Sequence, residues 1–390
     1  QKNPPFVNPP RSFHFMKSPW PPSGGNQGRP RRVSPTFTRM TDTELLNRVI
    51  GALDPGQTVM RQLRRNGRLL LAVPGGREAA ARTFGLYQPQ RRLARGMMGL
   101  LRGLASLGIH GCLLPKIRIA GNRSSLVPAL AGVEAGTCGV LLGSPEHRIQ
   151  RAIACYRHEG RWEVAKISFG DEGRQILEVE AQALVDLQSW ATGVPHMLGL
   201  HRGEGLTVLR MPYLTGKAIP TGEYSEALDL LNQWVTHASP RSITSFPEWA
   251  AIESALEGDA DGSPALEQLS RQHLVPVICH GDFARWNLLK QANGALVALD
   301  WEWGHNDGMP GLDLVHYFLQ DHRLVRRLEP NDAIAATLHD LQRPECAAYL
   351  KRTGWSGDPI LPIIASLAYK QGAGHQENAE MLEKILDFKF

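Results

Sequence analysis

Apolar positions along the chain change their period near residue 215. From about residue 136 to that point they form short runs bounded by glycine, proline and charged turns. These are residues 138–142 running into Gly143-Ser144-Pro145, residues 148–156, a His158-Glu159-Gly160 turn, residues 162–167, and residues 206–211. Such runs read as strands. One helical stretch, residues 173–190, interrupts them. Beyond a short connector at residues 212–216 the pattern is mainly helical, at residues 225–237, 264–272, 311–323, 331–342, 362–371 and 379–388. A strand-rich lobe followed by a helical lobe is expected.

The front of the chain carries its own elements. Thr41-Asp42-Thr43-Glu44 has capping-box spacing ahead of Leu45, Leu46, Val49 and Ile50, which predicts a helix start. Residues 69–73 predict a strand, stopped by Pro74-Gly75-Gly76. In residues 91–107, Leu93, Met97, Leu100, Leu101, Leu104 and Leu107 make one apolar stripe, with Arg92, Arg95 and Arg102 mostly off it. A membrane-surface helix has that pattern, and so does a helix packed on a small sheet. Packing is the commoner use and is the expectation here. Residues 39–130 therefore predict a small basic α+β domain. Residues 1–38, rich in Pro, Gly and Arg, cannot close a core and predict disorder.

Composition is that of an ordinary soluble protein, 390 residues with 42% hydrophobic and 21% charged, long enough for two or three domains. Cys112, Cys138, Cys155, Cys279 and Cys346 are scattered and never form a CxxC pair. That argues against a disulfide framework or structural zinc and for a reducing, cytoplasmic setting. No membrane span is convincing, since Arg102 and His110 interrupt the most apolar window. No signal-peptide core is visible in residues 1–30; the chain begins at Gln1, which leaves its natural start open. Charge is more informative. Residues 1–120 hold 20 Lys+Arg against 4 Asp+Glu, and the remainder holds 23 against 34, behind a net charge of +5. Such a front half could meet nucleic acid or an anionic membrane, or dock on the acidic remainder of its own chain.

Candidate chemistry lies in two further apolar runs. Residues 275–279 end in His280-Gly281-Asp282, with Asn287 five residues after the aspartate; residues 295–299 deliver Asp300 into Trp301-Glu302-Trp303-Gly304. Ala292-Asn293-Gly294 between them is a hairpin-type turn. Two strand ends held side by side would present Asp282, Asn287 and Asp300 at one edge. That trio of oxygens suits Mg²⁺ and a hydroxyl nucleophile, and so phosphoryl transfer.

These motifs resemble the aminoglycoside phosphotransferase/choline kinase family, a small-molecule branch of the protein-kinase-like fold, over about residues 135–375. The family loop H-G-D-x-x-x-x-N is matched by His280-Gly281-Asp282-Phe283-Ala284-Arg285-Trp286-Asn287. Leu299-Asp300-Trp301-Glu302 matches its metal motif, and Gly311-Leu312-Asp313-Leu314 its following element. The resemblance implies a bilobal α+β fold with a small β-rich N-lobe (131–214) and a helical C-lobe (215–390), preceded by the accessory domain and the N-terminal segment. It implies that Asp282 accepts or orients the acceptor's hydroxyl proton, and that Asn287 and Asp300 hold Mg²⁺ on ATP. Lys166, closing Val164-Ala165-Lys166, would meet the phosphates unless it is an ordinary edge-strand lysine. Its ion-pair partner would be Glu180 or Glu178, with Glu180 at the better spacing. The phosphate-covering loop would use backbone amides around Ser144, although no G-x-G-x-x-G is present and a plain β-turn reads as well. Adenine would meet the backbone between Met211 and Leu214. His280 and Asp313 are read as supports. Glu302 is open between metal, acceptor and solvent, and Arg285, where relatives often carry proline, between substrate phosphate and surface.

The expected activity is transfer of phosphate from ATP to a hydroxyl of a small molecule: an aminoglycoside, amino alcohol, sugar or sugar-lipid. The acidic balance after residue 120 favours a cationic or amino-sugar acceptor. The competing reading is a pseudokinase-like nucleotide-binding scaffold whose basic front recruits a partner, a membrane or nucleic acid. Acceptor identity, ATP against GTP and oligomeric state leave no signature in the sequence.

Overall fold

Eight strands form one antiparallel sheet in the computed structural model, which describes residues 40–54, 56–89, 92–120, 132–143, 150–203, 205–257, 262–374 and 378–387. They are β1 (Val59–Arg65), β2 (Arg68–Val73), β3 (Lys116–Arg118), β4 (Gly139–Leu142), β5 (Arg151–His158), β6 (Arg161–Phe169), β7 (Gly199–Gly203) and β8 (Leu206–Pro212). Their order is β3-β1-β2-β4-β5-β6-β8-β7. The sheet runs through the domain boundary drawn near residue 130, because β2 pairs with β4 and sets Leu71 opposite Leu141. Pairing hides the edge that either half would otherwise expose. The segment 1–38 lies outside the described residues.

Each face of this sheet is covered by helices. Helix α1 (Asp42–Leu53) begins at the capping box: the Thr41 hydroxyl accepts from the Glu44 amide, and the Glu44 carboxylate accepts from the Thr41 amide at 2.7 Å. Its Leu46, Val49 and Ile50 pack with Ala72, Val140, Ile167 and Val208. On the other face, α2 (Arg77–Gly85) and α3 (Arg92–Ser106) bury Ala80, Phe84, Met98, Leu101 and Ala105 against Leu71 and Val73.

The expected packing of α3 through its long apolar stripe needs correction. The buried face is Met98, Leu101 and Ala105, whereas Leu93, Met97, Leu100 and Leu107 are exposed. At about 100° per residue the two sets lie roughly a third of a turn apart. The sequence pattern had merged two faces into one stripe. A single turn, α4 (His110–Leu113), then leads into β3.

Helix α5 (Gly170–Leu187) crosses from β6 and packs Leu177, Ala181 and Leu184 against Leu209 and Met211 of β8. The connector that follows β8 is gripped by α2. Tyr213 donates its hydroxyl to the Arg82 carbonyl at 3.0 Å, and the Arg82 guanidinium lies 4.9 Å from the Trp162 ring and 5.0 Å from that of Tyr213.

The rest of the chain is the helical lobe, so the expected bilobal α+β arrangement is the one found. Helix Leu361–Gly372 sits at its centre, against Trp249–Leu256, Leu312–Gln320 and Ala379–Asp387. Trp249–Leu256 and Pro344–Arg352 were absent from the pattern-based expectation. The first is short and apolar on most sides; the second starts with proline at its first turn, where the missing N–H costs nothing. The helix expected over 311–323 runs as Leu312–Gln320 and then widens into a π-helical turn, Asp321–Arg326.

A second correction concerns the hairpin. Asn293-Gly294 does turn the chain, with Gly294 at φ 85° and Asn293 accepting from the Ala295 amide, but it joins Leu288–Lys290 to Leu296–Ala298. Val277–Cys279 instead pairs with His305–Gly308. A one-turn 3-10 helix, Arg285–Asn287, reverses the chain early enough for Leu288 to begin the hairpin. Among the described residues no helix is long and apolar enough to cross a membrane.

Candidate active site

A buried carboxylate fixes the loop that follows Val277–Cys279. Asp313, in the first turn of Leu312–Gln320, accepts from the amides of His280 at 2.6 Å and Gly281 at 2.9 Å. The His280 Nδ1 accepts from the Asp282 amide at 3.2 Å, so Nε2 carries the proton and donates to the Leu299 carbonyl at 2.9 Å. Histidine thus ties this loop to the strand end that delivers Asp300. Gly281 has φ 80°, and a Cβ there would lie 2.4 Å from the Cβ of Trp303. Gly281→Ala is expected to cost about 2–4 kcal/mol in a denaturant melt, from left-handed strain plus the clash.

Both carboxylate oxygens of Asp282 are held. Oδ1 accepts from His316 Nε2 at 2.8 Å and Oδ2 from Asn287 Nδ2 at 2.9 Å. Asn287 Nδ2 also donates to the Asp282 carbonyl, which leaves the amide oxygen as the end free to face a cation. The Lys370 ammonium donates to the Gly281 carbonyl beside them. Burial alone would raise the Asp282 carboxyl. The His316 hydrogen bond, the charge that His316 takes on at acid pH and the Lys370 ammonium outweigh it and hold the group at about 2. Burial and Lys370 together push the His316 imidazole below its ordinary value, so the neutral ring donates to an ionised aspartate. The sequence reading missed His316. Its signal was the spacing: three residues after Asp313, it shares that helix face toward the loop.

The second half of the site is an ammonium between two carboxylates. Lys166 lies in the middle of the sheet, opposite Ile153 on β5 and Leu209 on β8, so it is no edge-strand lysine. Its Nζ donates to Glu180 Oε1 at 2.5 Å and to Asp300 Oδ1. Glu180 Oε1 also accepts from the Trp301 amide at 3.2 Å, and its other oxygen is buried without a partner among the described residues. Burial would lower the Lys166 ammonium, but the two carboxylates raise it. Burial outweighs Lys166 at Glu180, which is raised; Lys166 outweighs burial at Asp300, which is lowered. Asp300 has φ 73°, in the left-handed region that side chains other than glycine adopt infrequently and that recurs at functional sites. The His280 bond to the Leu299 carbonyl holds the Asp282 loop beside the strand end that delivers Asp300, so the two halves lie together.

The remaining expected positions divide. Glu178 pairs with Arg202 on β7, leaving Glu180 as the lysine's partner. Met211 is buried on β8, and Leu214 lies half-buried in the connector. Ser144 lies outside the described residues. Glu302 pairs with Arg151 at the start of β5. Arg285 is neither on the surface nor open to a phosphate: it is buried, bonded to Asp321 at 3.0 Å and to the Ile219 carbonyl at 3.1 Å. The π-helical turn supplies that aspartate, and an unpaired guanidinium would be too costly to bury there.

No family model matches the chain, and no curated protein matches it. Solved structures do. The apo form of a thermostable mutant of the aminoglycoside phosphotransferase APH(4)-Ia is 13% identical, over 65% of this chain and 94% of that one, with a TM-score of 0.44. A putative fructosamine-3-kinase from Haemophilus somnus is 14% identical, over 62% and 91%, with a TM-score of 0.36. The choline kinase LicA from Streptococcus pneumoniae is 15% identical, over 67% and 96%, with a TM-score of 0.39; these three neighbours are small-molecule kinases of the protein-kinase-like fold.

Proposed function

We propose that the protein is a phosphotransferase that moves the γ-phosphate of ATP to a hydroxyl of a small molecule. The observation that carries this reading is the pairing of two built parts at one place: the Lys166 ammonium between Glu180 and Asp300, and the Asp282 carboxylate held by His316 and Asn287. The first part is a point charge for nucleotide phosphates; the second is a preplaced acceptor for a hydroxyl proton. The donor set fits Mg²⁺, since the Asn287 amide oxygen and the Asp300 carboxylate are hard oxygens. When bound, Mg²⁺ would neutralise phosphate charge. Asp282, ionised throughout the working range, orients the acceptor hydroxyl. His316 and Asn287 keep its oxygens from rotating, which is the positioning that phosphoryl transfer chiefly asks of a protein. Backbone between Met211 and Leu214 would carry the adenine, and amides near Ser144 the phosphates. The test is a phosphorylation screen with Mg-ATP against aminoglycosides, amino alcohols and sugars. Turnover of one class supports the reading, and none with any class overturns it.

His316 makes a pH prediction. Its folded value lies below the ordinary imidazole value, so folding favours the neutral ring. That contribution to stability is fully present above the ordinary value and is lost as pH falls through the folded one. Between about pH 7 and about pH 5 the wild type should lose more melting temperature than His316→Gln does. Equal losses would show that His316 is not buried as a neutral donor.

A further inference from the structure

Six of the eleven large hydrophobic side chains exposed among the described residues lie in one short stretch: Leu93, Met97, Leu100, Leu107, Ile109 and Leu113. Single exposed leucines are ordinary, but a clustered set marks a contact surface. The first four follow helical spacing along α3, and half-buried Leu104 completes the row. Leu93 is 91% exposed and Leu107 67%, so the row stands out from the protein. Ile109 and Leu113 extend it past the helix end onto α4, giving a patch drawn from two elements. Such a patch is wider than the single seam along which two helices pair.

Charge decides what covers it. Residues 91–118 contain Arg91, Arg92, Arg95, Arg102, Lys116 and Arg118 and no Asp or Glu. At the α4 end, the guanidinium of Arg77 lies against Gly108, where an added Cβ would be 2.6 Å from its Nε; that of Arg61 lies 3.3 Å from the corresponding point on Gly111. Lys116 and Arg118 on β3 are exposed. A second copy of the chain would set these cations against one another with no acid between them. The chain's own residues 1–39 are no better, with seven Lys+Arg and no acid.

We propose that α3 and α4 dock the protein on an anionic membrane surface, the apolar row entering the headgroup region and the neighbouring cations meeting lipid phosphates. The apolar row supplies burial, and Arg61, Arg77, Lys116 and Arg118 supply attraction to negative lipid. This is attachment to one leaflet, independent of the phosphotransferase reading.

The test is co-sedimentation of the full chain with vesicles of phosphatidylcholine alone or mixed with phosphatidylglycerol. Binding should require phosphatidylglycerol and fall with salt. Leu93→Glu/Leu100→Glu should weaken it by about tenfold or more. Both positions are exposed, so the melting temperature should not move; Arg77→Glu/Lys116→Glu should weaken binding with the apolar row intact. Wild-type protein that ignores these vesicles, or that binds neutral ones equally, overturns the proposal. So does a wild-type dimer that Leu93→Glu/Leu100→Glu makes monomeric, because the row is then a subunit interface.

Discussion

Asp282→Ala should lower turnover by about a thousandfold while leaving nucleotide affinity within about a factor of two. The split follows from what each group touches. Among the described residues Asp282 bonds only to His316, Asn287 and its own loop, whereas Lys166, Glu180 and Asp300 form the separate cluster proposed to meet the nucleotide. Removing the Asp282 side chain leaves that cluster and its lysine in place. Asp282→Asn should be nearly as inactive. An amide supplies no carboxylate to take the hydroxyl proton, and it satisfies both neighbours only if His316 changes tautomer. Single-turnover phosphorylation beside nucleotide titration measures the two quantities, with a melt of each variant as the folding control. An alanine variant that keeps about a tenth of the activity would remove Asp282 from the reaction. One that folds normally and loses nucleotide as well would place it in the nucleotide site.

What the sequence made legible depended on whether the signal was local. The capping box at Thr41, the glycine turn at Gly294 and the strands around Lys166 are decided by neighbours a few residues away, and their places could be read from them. The H-G-D-x-x-x-x-N spacing likewise put Asp282 and Asn287 on one loop. Pairing was less legible. Val277–Cys279 takes His305–Gly308 as its partner, a choice made by the tertiary fold and invisible to a turn rule. The sheet's continuation from β2 to β4 spans residues 74–138 and has no local mark. Residues that work through a distant partner were the hardest. Arg285 takes its meaning from Asp321, thirty-six residues on, and His316 from Asp282, thirty-four residues back. For α3 the period was right and the facing was wrong, since periodicity shows that an apolar face exists and says nothing of whether protein covers it.

Lys166→Met should both abolish activity and cost about 3 kcal/mol of stability. The loss of activity follows from losing the ammonium proposed for the phosphates. The stability cost has a different origin: it leaves Glu180, whose side chain is 1% exposed, facing Asp300 with no cation between them. The figure belongs at the lower end for a broken buried pair because the Asp300 side chain is 37% exposed and water screens part of the repulsion. Glu180→Gln in the same chain removes the buried charge and keeps an oxygen for the Trp301 amide. Lys166→Met/Glu180→Gln should therefore be more stable than Lys166→Met alone, by about 1–3 kcal/mol, and just as inactive. Denaturant midpoints and turnover of the two single variants and the double separate the two roles. Recovery of stability without recovery of rate means that the lysine is held in the fold by Glu180 and used elsewhere, on the substrate. A double variant no more stable than Lys166→Met would mean that the buried carboxylate is not the source of the cost, and the lysine's place would then need another anchor than Glu180.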